Sequence, residues 1–135
     1  MAHYKSDRWL RHTGIFTYEE KKIKHVDEID IILKVKKYLD DNFYNTDINL
    51  KKVSEFFSYN ERYISDKFKK TIKIGFNKYL QKLRIDYSIY LMSIGIKNVN
   101  EIAKLCGYND PFYYSKVFKK HMNISPKKYL NQLRY

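Results

Sequence analysis

Two similar stretches of this chain are offset from each other by fifty positions. FKKTIKIGFNKYLQKLR occupies positions 68–84, and FKKHMNISPKKYLNQLR occupies positions 118–134. Upstream of them the offset falls to forty-nine, where SYN at 58–60 corresponds to GYN at 107–109, so the second copy holds one additional residue in a turn. Two copies are too few for a solenoid, which needs at least three repeats to bury its faces. We therefore predict one small unit that occurs twice.

Helix-capping residues divide each copy into short helices. In the first copy Asn49 precedes a predicted helix over about 50–57, and Asn60 precedes a second helix that ends near Thr71. Asparagine at such a position accepts hydrogen bonds from the free amides of the first turn. The second copy carries corresponding caps, a helix-ending glycine and first-turn prolines at Asn98, Gly107, Asp110, Pro111, Ser125 and Pro126. Strand-like alternation is absent, so the predicted fold class is all-α.

The charge of the chain points to a polyanionic partner. Its 135 residues include 27 Lys and Arg but only 15 Asp and Glu, a formal charge of +12 that is distributed along the whole sequence. Nucleic acid is the usual partner of such a protein, and an anionic membrane surface is the second candidate. A third interpretation is that the lysines only keep a small domain in solution.

Several other classes of function lack support in the sequence. Cys106 is the single cysteine, which excludes a disulfide framework and, in an apolar stretch, indicates a buried thiol. The four histidines have no metal-ligand spacing, and no acid pair or nucleophile-base set indicates an enzyme. No signal peptide or apolar run of about 18 residues is present. We predict a cytoplasmic protein without metal, cofactor or membrane contact.

A short helix, a tight turn and a second helix with a basic outer face form a helix-turn-helix. The second helix of such a pair fits the major groove of duplex DNA, where its N-terminal turns reach the base edges. One copy alone is weak evidence, because many proteins that never contact DNA contain helix pairs. Two copies in a strongly basic chain favour DNA binding.

The stretch GYNDPFYYSKVFKKHMNISPKKYL at 107–130 resembles a known signature. It is similar to the C-terminal pattern of the AraC/XylS family of bacterial transcription regulators, namely Gly-aromatic-x-Asp, two variable positions, Tyr-Phe-Ser-Arg, Phe-Lys-Lys and Gly-x-Ser-Pro. The resemblance covers about 31–134. It implies two helix-turn-helix subdomains of about seven helices in total, joined by a long linker helix. It also implies sequence-specific binding to double-stranded promoter DNA, with the second helices of the two subdomains about one DNA turn, roughly 34 Å, apart.

The resemblance also divides the chain into segments. It implies a first subdomain at 27–75, a linker helix at 76–93 and a second subdomain at 94–135. Residues 1–26 remain as an N-terminal extension or linker that is too short for a sensing domain. Two alternatives stay open, a freestanding regulator or a domain cut from a longer one. RNA polymerase is an expected further partner, and we expect this chain to be monomeric, whereas a longer protein could dimerise through an N-terminal domain.

Residue roles follow by matching the family's positions to this sequence. The base-reading positions correspond to Arg62, Ser65, Asp66, Pro111, Phe112, Ser115 and Lys116. Residues expected to contact phosphate, through side chains or through the amides of the helices that they cap, are Lys69, Lys70, Lys119, Lys120, Asn49 and Asn98. The lysines could instead remain in solvent. Aromatic residues at 68, 79, 118 and 129 have core spacing and are expected to be structural.

Departures from the family pattern mark places of interest. In the family pattern, glycine ends the second helix of each unit, which is the recognition helix that enters the groove. Lys73 and Asn123 occupy those glycine positions here, and Gly75 replaces the family's capping serine. Lys116 replaces an arginine. Asp66 also stands where arginine is common, and it is either a specificity residue that accepts from cytosine or a side chain turned away from DNA. The 14 tyrosines raise the alternative of non-specific binding to RNA or single strands.

Overall fold

The protein, in a computed structural model, is described over residues 18–133. These residues form seven helices and no strand. The helices are α1 (Tyr18–Asn42), α2 (Leu50–Phe57), α3 (Glu61–Ile72), α4 (Phe76–Ser93), α5 (Val99–Leu105), α6 (Pro111–Met122) and α7 (Pro126–Gln132). The predicted all-α class and number of helices are confirmed. The extension predicted at 1–26 lies mostly outside the described residues, and its positions 18–26 are the first turns of α1.

The predicted caps begin the helices of both copies. The side-chain oxygen of Asn49 accepts from the amide of Lys52 at 2.9 Å, and that of Asn60 accepts from the amide of Tyr63 at 2.7 Å. These bonds satisfy amides that have no partner inside the helix. The same role falls to the other predicted caps, Asn98, Asp110 and Ser125.

The first helix of each unit ends in the same way. Ser58 after α2 has φ 60°, and Gly107 after α5 has φ 110°. In both copies the next amide donates to a carbonyl five residues earlier, which closes the helix with a left-handed residue. The repeat is therefore a repeat of backbone geometry as well as of sequence.

The second helix of each unit ends on a residue that is not glycine. Lys73 after α3 has φ 75°, and Asn123 after α6 has φ 66°, as the departures from the family pattern predicted. Asparagine tolerates this conformation well, whereas lysine adopts it at a modest energetic cost. Gly75 begins α4 without a side-chain cap, whereas the Ser125 hydroxyl caps α7. The corner between α3 and α4 is thus the less stabilised of the two.

Two hydrophobic cores lie along the chain. Val53, Ile64 and Phe68 are fully buried in the first core. Residues at the corresponding positions of the second copy are fully buried in the second core, namely Ile102, Tyr114 and Phe118. The structural role predicted for the aromatics at 68 and 118 is confirmed, and those at 79 and 129 pack against the same cores.

The linker helix α4 belongs to both cores. Phe76 and Leu80 in its first half pack into the first core, whereas Ile85, Leu91 and Met92 pack into the second. The predicted linker, 76–93, has the same bounds as α4. One continuous helix therefore connects the two units and contributes side chains to both cores.

Polar contacts join α1 to the rest of the first unit. The Tyr79 hydroxyl on α4 donates to the Asp40 carboxylate on α1, which also pairs with Lys36 at 3.0 Å. Lys67 on α3 forms an ion pair with Glu28 on α1 at 3.5 Å. The Lys67 ion pair attaches α3 to α1, and the opposite face of α3 stays exposed.

Burial explains the state of the single cysteine. Cys106 is fully buried in the second core, and its burial raises the pKa of the thiol to about 12. A neutral buried thiol behaves as a small apolar side chain. The prediction of a buried thiol is confirmed.

Candidate nucleic-acid interface

The outward face of α3 carries the predicted base-reading residues of the first unit. Ile64 and Phe68 point into the core, so the spacing of the helix directs Arg62, Ser65 and Asp66 away from it. Arg62 and Asp66 are exposed, and Ser65 is half-buried at the edge of this face. This face of the first two turns of α3 is therefore available to a ligand.

Arg62 and Asp66 form an ion pair on that face. The Arg62 Nε lies 3.8 Å from the Asp66 carboxylate, and the two side chains are 92% and 69% exposed. Exposed pairs one helical turn apart contribute only about 0.3–0.5 kcal/mol to stability. The pair therefore does little for the fold, but it places both side chains on the surface that would meet a ligand.

The outward face of α6 is more apolar at its start. Pro111 occupies the first turn, and Phe112 is 85% exposed, although Tyr114, two residues later, is fully buried. Ser115 is half-buried and Lys116 is exposed. A ring that is exposed to this extent contributes little to the core, so it is available for contact with a ligand.

Both second helices end in basic residues. Lys69 and Lys70 lie in the last turn of α3, and Lys119 and Lys120 lie in the last turn of α6, where all four are exposed. Cations at this end of a helix also offset the negative end of its dipole. The lysines therefore stabilise their helices whether or not they contact a phosphate.

The first helices offer two further groups of backbone amides. Asn49 is the N-cap of α2 and Asn98 is the N-cap of α5. Each side chain accepts from an amide in the first turn of the helix that it caps. Because the caps use their side-chain oxygens in this way, any anion contact at these ends would come from the remaining amides and the positive end of the helix.

The structure adds exposed residues to which the sequence assigned no DNA contact. Tyr113 is exposed beside Phe112 at the start of α6, and Lys73 is exposed immediately after α3. Lys78 and Lys128 are exposed near the starts of α4 and α7, fifty residues apart. The repeat itself could have identified that pair of lysines, because both belong to the shared KYL triplet.

Residues 18–133 contain no group of three or more His, Cys, Asp or Glu side chains that could hold a metal ion. Within the same residues, no helix has the length and apolar character needed to cross a membrane.

Comparisons with known proteins show the family to which the chain belongs. A family model described as a helix-turn-helix domain matches residues 53–132, more than half of the chain. The HTH-type transcriptional regulator YijO of Escherichia coli is 32% identical over 98 residues, a match that covers 73% of this chain and 34% of YijO. The chain thus spans about a third of the length of that relative.

Solved structures share the fold. The C-terminal domain of AraT, a response regulator from Geobacillus stearothermophilus, aligns with a TM-score of 0.73 at 30% identity, covering 78% of this chain and 87% of that domain. The DNA-binding domain of the global transcriptional factor AdpA, solved in complex with a target DNA, aligns with a TM-score of 0.68 at 16% identity, covering 74% and 89%. The chain belongs to the AraC-type helix-turn-helix family of transcriptional regulators.

Proposed function

We propose that this chain binds promoter DNA in a sequence-specific manner and thereby regulates transcription, with α3 and α6 in successive segments of the major groove. The observation that carries the proposal is the occurrence of two equivalent helix-turn-helix units, each of which buries one face of its second helix and exposes the other. An α-helix has the width that the major groove admits, and an exposed face leaves its side chains free to reach the base edges. The formal charge of +12 supports a polyanionic ligand.

The exposed side chains suggest a division of the reading task. Arg62 can donate two hydrogen bonds to a guanine, and Phe112 can contact a thymine methyl group. Ser65 and Ser115 are short enough to donate to or accept from several bases. These assignments make the first unit polar in its base contacts and the second unit partly apolar.

The position of Asp66 is defined by its ion pair with Arg62. The ion pair keeps the carboxylate on the outward face, so Asp66 is not turned into the core. From there it can accept from a cytosine or orient the guanidinium of Arg62, and both tasks affect specificity. Lys116 on α6 has no acidic neighbour one turn away on its helix, so it is available for a base or a phosphate.

The wider role of the protein follows from promoter binding. RNA polymerase is the second partner of a regulator that acts at promoters, and the cytoplasm is the compartment in which both are found in bacteria. The chain has a binding role in this proposal, and no catalytic step is assigned to it. We propose that it binds DNA as a monomer because the two units already supply two recognition helices.

Selection from a random pool of duplexes, followed by sequencing of the bound fraction, tests the proposal. A recurring motif with two short conserved blocks about one DNA turn apart is expected. Competition with RNA and single-stranded DNA of the same length serves as the control. Enrichment of no motif, or tighter binding to the RNA or single strand, would instead support a non-specific nucleic-acid-binding module.

Binding should be strongly salt-dependent. If about six to ten phosphates are contacted, the logarithm of the association constant should fall with the logarithm of the salt concentration at a slope of about −5 to −9. Fluorescence anisotropy with a labelled operator over a range of salt concentrations measures this slope. A slope shallower than about −2 would contradict an interface built on phosphate contacts.

Lys119→Ala should weaken binding to all duplexes about equally and make the salt slope shallower by about one. The reason is that Lys119 is exposed at the end of α6, away from the first turns that reach the bases. The matched control is Lys34→Ala on α1, which removes an exposed lysine that is paired with Asp30 on the same helix. A Lys119→Ala protein that loses affinity for the operator but not for a scrambled duplex would show that Lys119 reads bases.

A further inference from the structure

Arg84 of α4 is a buried arginine with three backbone acceptors. Only 8% of the residue is exposed. Its Nε donates to the carbonyl of Phe43 at 2.8 Å, and one Nη donates to the carbonyls of Asn45 and Ile48 at 3.0 and 3.3 Å. All three acceptors lie in the segment 43–48 between α1 and α2. One side chain of the linker helix therefore holds the whole connecting segment of the first unit.

The other side of Arg84 faces the second unit. Its guanidinium carbon lies 5.2 Å from the centre of the Tyr108 ring, in the turn between α5 and α6. A Cβ atom added to Gly107 in the same turn would lie 2.6 Å from the Arg84 Nε and 2.6 Å from the carbonyl oxygen of Phe43. Such distances do not occur, so the turn of the second unit is in direct contact with the segment of the first.

Glycine is required at 107 for two separate reasons. Its φ of 110° is unfavourable for residues with a side chain, and the close approach leaves no room for one. At the corresponding position of the first copy, Ser58 fulfils the conformational requirement with φ 60°, and it is exposed. The additional requirement for space is therefore specific to the contact between the two units.

We call the contact of Arg84 with the segment 43–48 and with the turn at 107–108 the joint between the two units. The chemistry of this joint needs an arginine. Within the described residues no carboxylate forms an ion pair with Arg84, and its acceptors are three separate backbone carbonyl oxygens, bound through two of its nitrogens. A planar guanidinium can satisfy several such acceptors at once and can lie over an aromatic ring, whereas the single ammonium of lysine has no comparable rigid fork. Burial lowers the pKa of Arg84, which is the cost of holding a cation there.

We propose that Arg84 is the residue that sets the placement of α3 relative to α6, and hence the half-site spacing that the protein accepts on DNA. Each recognition helix is packed within its own core, so a change at the joint would move the two helices as units. One inserted base pair shifts a half-site by about 3.4 Å along the duplex and rotates it by about 35° around the axis. A fixed joint would reject such a shift. This inference rests on the proposed function.

The test compares operators of different spacing. Starting from the selected operator, one base pair is inserted or deleted between its two conserved blocks, and the affinities of the wild type, Arg84→Lys and Arg84→Met are measured. The wild type is expected to lose about tenfold or more on either change, similar to the cost of a mismatched base pair. The Arg84 variants are expected to lose about threefold or less, because their units can adjust, although their affinity for the original operator also falls.

Lys82→Met is the matched control for the loss of charge. Lys82 is an exposed cation on the same helix and pairs only with Asp86 one turn away among the contacts described. If it meets a phosphate, its loss weakens binding to every spacing and leaves the ratio between spacings unchanged. A purely stabilising residue would likewise lower affinity for all operators alike, so the ratio separates a positioning role from a structural one.

A measurement on the free protein serves for variants that bind DNA too weakly for the operator comparison. Glu55 on α2 and Lys104 on α5 are exposed at corresponding positions, and spin labels on cysteines placed there report the distance between the units. Cys106, buried and with its pKa raised to about 12, should remain unlabelled in the folded protein. We expect one narrow distance distribution with Arg84, and a broader or shifted one in Arg84→Lys, Arg84→Met and Gly107→Ala.

Failure of the inference can be told apart from failure of the proposed function. If the wild type selects no duplex motif, the function is wrong. If it selects a motif but the Arg84 variants keep both the spacing preference and the narrow distribution, Arg84 does not position the units. A wild type that accepts all spacings equally would overturn the inference too. The inference is also overturned if Arg84→Lys, Arg84→Met and Gly107→Ala all unfold, since Arg84 would then be an ordinary core residue.

Discussion

Phe118→Ala is expected to lower the free energy of unfolding by about 3–5 kcal/mol. Phe118 is fully buried in the second core, in contact with the rings of Tyr114 and Tyr129. Removal of the ring loses its transfer free energy and leaves a cavity that rigid helices fill only in part. Since domains of this size have stabilities of about 5–15 kcal/mol, such a loss is a large share of the total. Urea unfolding followed by circular dichroism measures it.

Phe112→Ala is the matched control for that change. It removes the same ring from the same helix, but Phe112 is exposed, so the free energy of unfolding should change by less than about 0.5 kcal/mol. If Phe112 contacts a thymine methyl, affinity for the operator should fall instead. A large loss of stability in Phe112→Ala would show that its ring packs against the protein, and the assigned outward face of α6 would be wrong.

Phe68→Ala, at the corresponding position of the first unit, extends the experiment. Phe68 is also fully buried, and it contacts the rings of Phe76 and Tyr79 on α4. Because α4 contributes to both cores, we expect one unfolding transition in both variants. Two separated transitions would show that the units unfold independently and that the joint at Arg84 couples them only weakly.

The sequence predicted the helices of both units because its signals are local. Asn49 and Asn60 mark the starts of α2 and α3 through residues that are close in sequence, whereas the bounds of the linker helix were implied by the family resemblance. The ion pair of Arg62 and Asp66 could also have been predicted, since residues four apart are neighbours on a helix. These features depend on capping and helical spacing, which are visible without knowledge of the tertiary fold.

The joint between the units was not visible in the sequence. Gly107 was predicted only as the end of a helix, and Arg84 only as part of the repeat. The acceptors of Arg84 lie 36 to 41 residues away in the chain, and no local pattern links them to it. The corresponding Arg134 of the second copy lies outside the described residues. Gly107 lies against Arg84 and the Phe43 carbonyl, whereas Ser58 at the corresponding position of the first copy is exposed. Only the packing of one unit against the other shows which glycine must leave space.

Arg62→Ala is expected to cost about 1–3 kcal/mol on the selected operator, a loss of about 5- to 150-fold in affinity. Arg62 is almost fully exposed in the first turn of α3, where a guanidinium reaches the O6 and N7 atoms of a guanine with two parallel hydrogen bonds. The loss should be confined to the operator and should flatten base preference at one or two positions. Quantitative binding to the operator, to its single-base variants and to a scrambled duplex measures both effects.

Arg62→Lys is the control that separates charge from geometry. It keeps the positive charge, and with it the attraction to phosphate, but it cannot form the planar fork that recognises guanine. We expect Arg62→Lys to retain the salt dependence of the wild type and to lose base preference at the same positions as Arg62→Ala. Neither change should lower the free energy of unfolding by more than a few tenths of a kcal/mol, since the ion pair with Asp66 is exposed. If the loss of Arg62 instead lowers the free energy of unfolding strongly and leaves base preference intact, the outward face assigned to α3 is the wrong one.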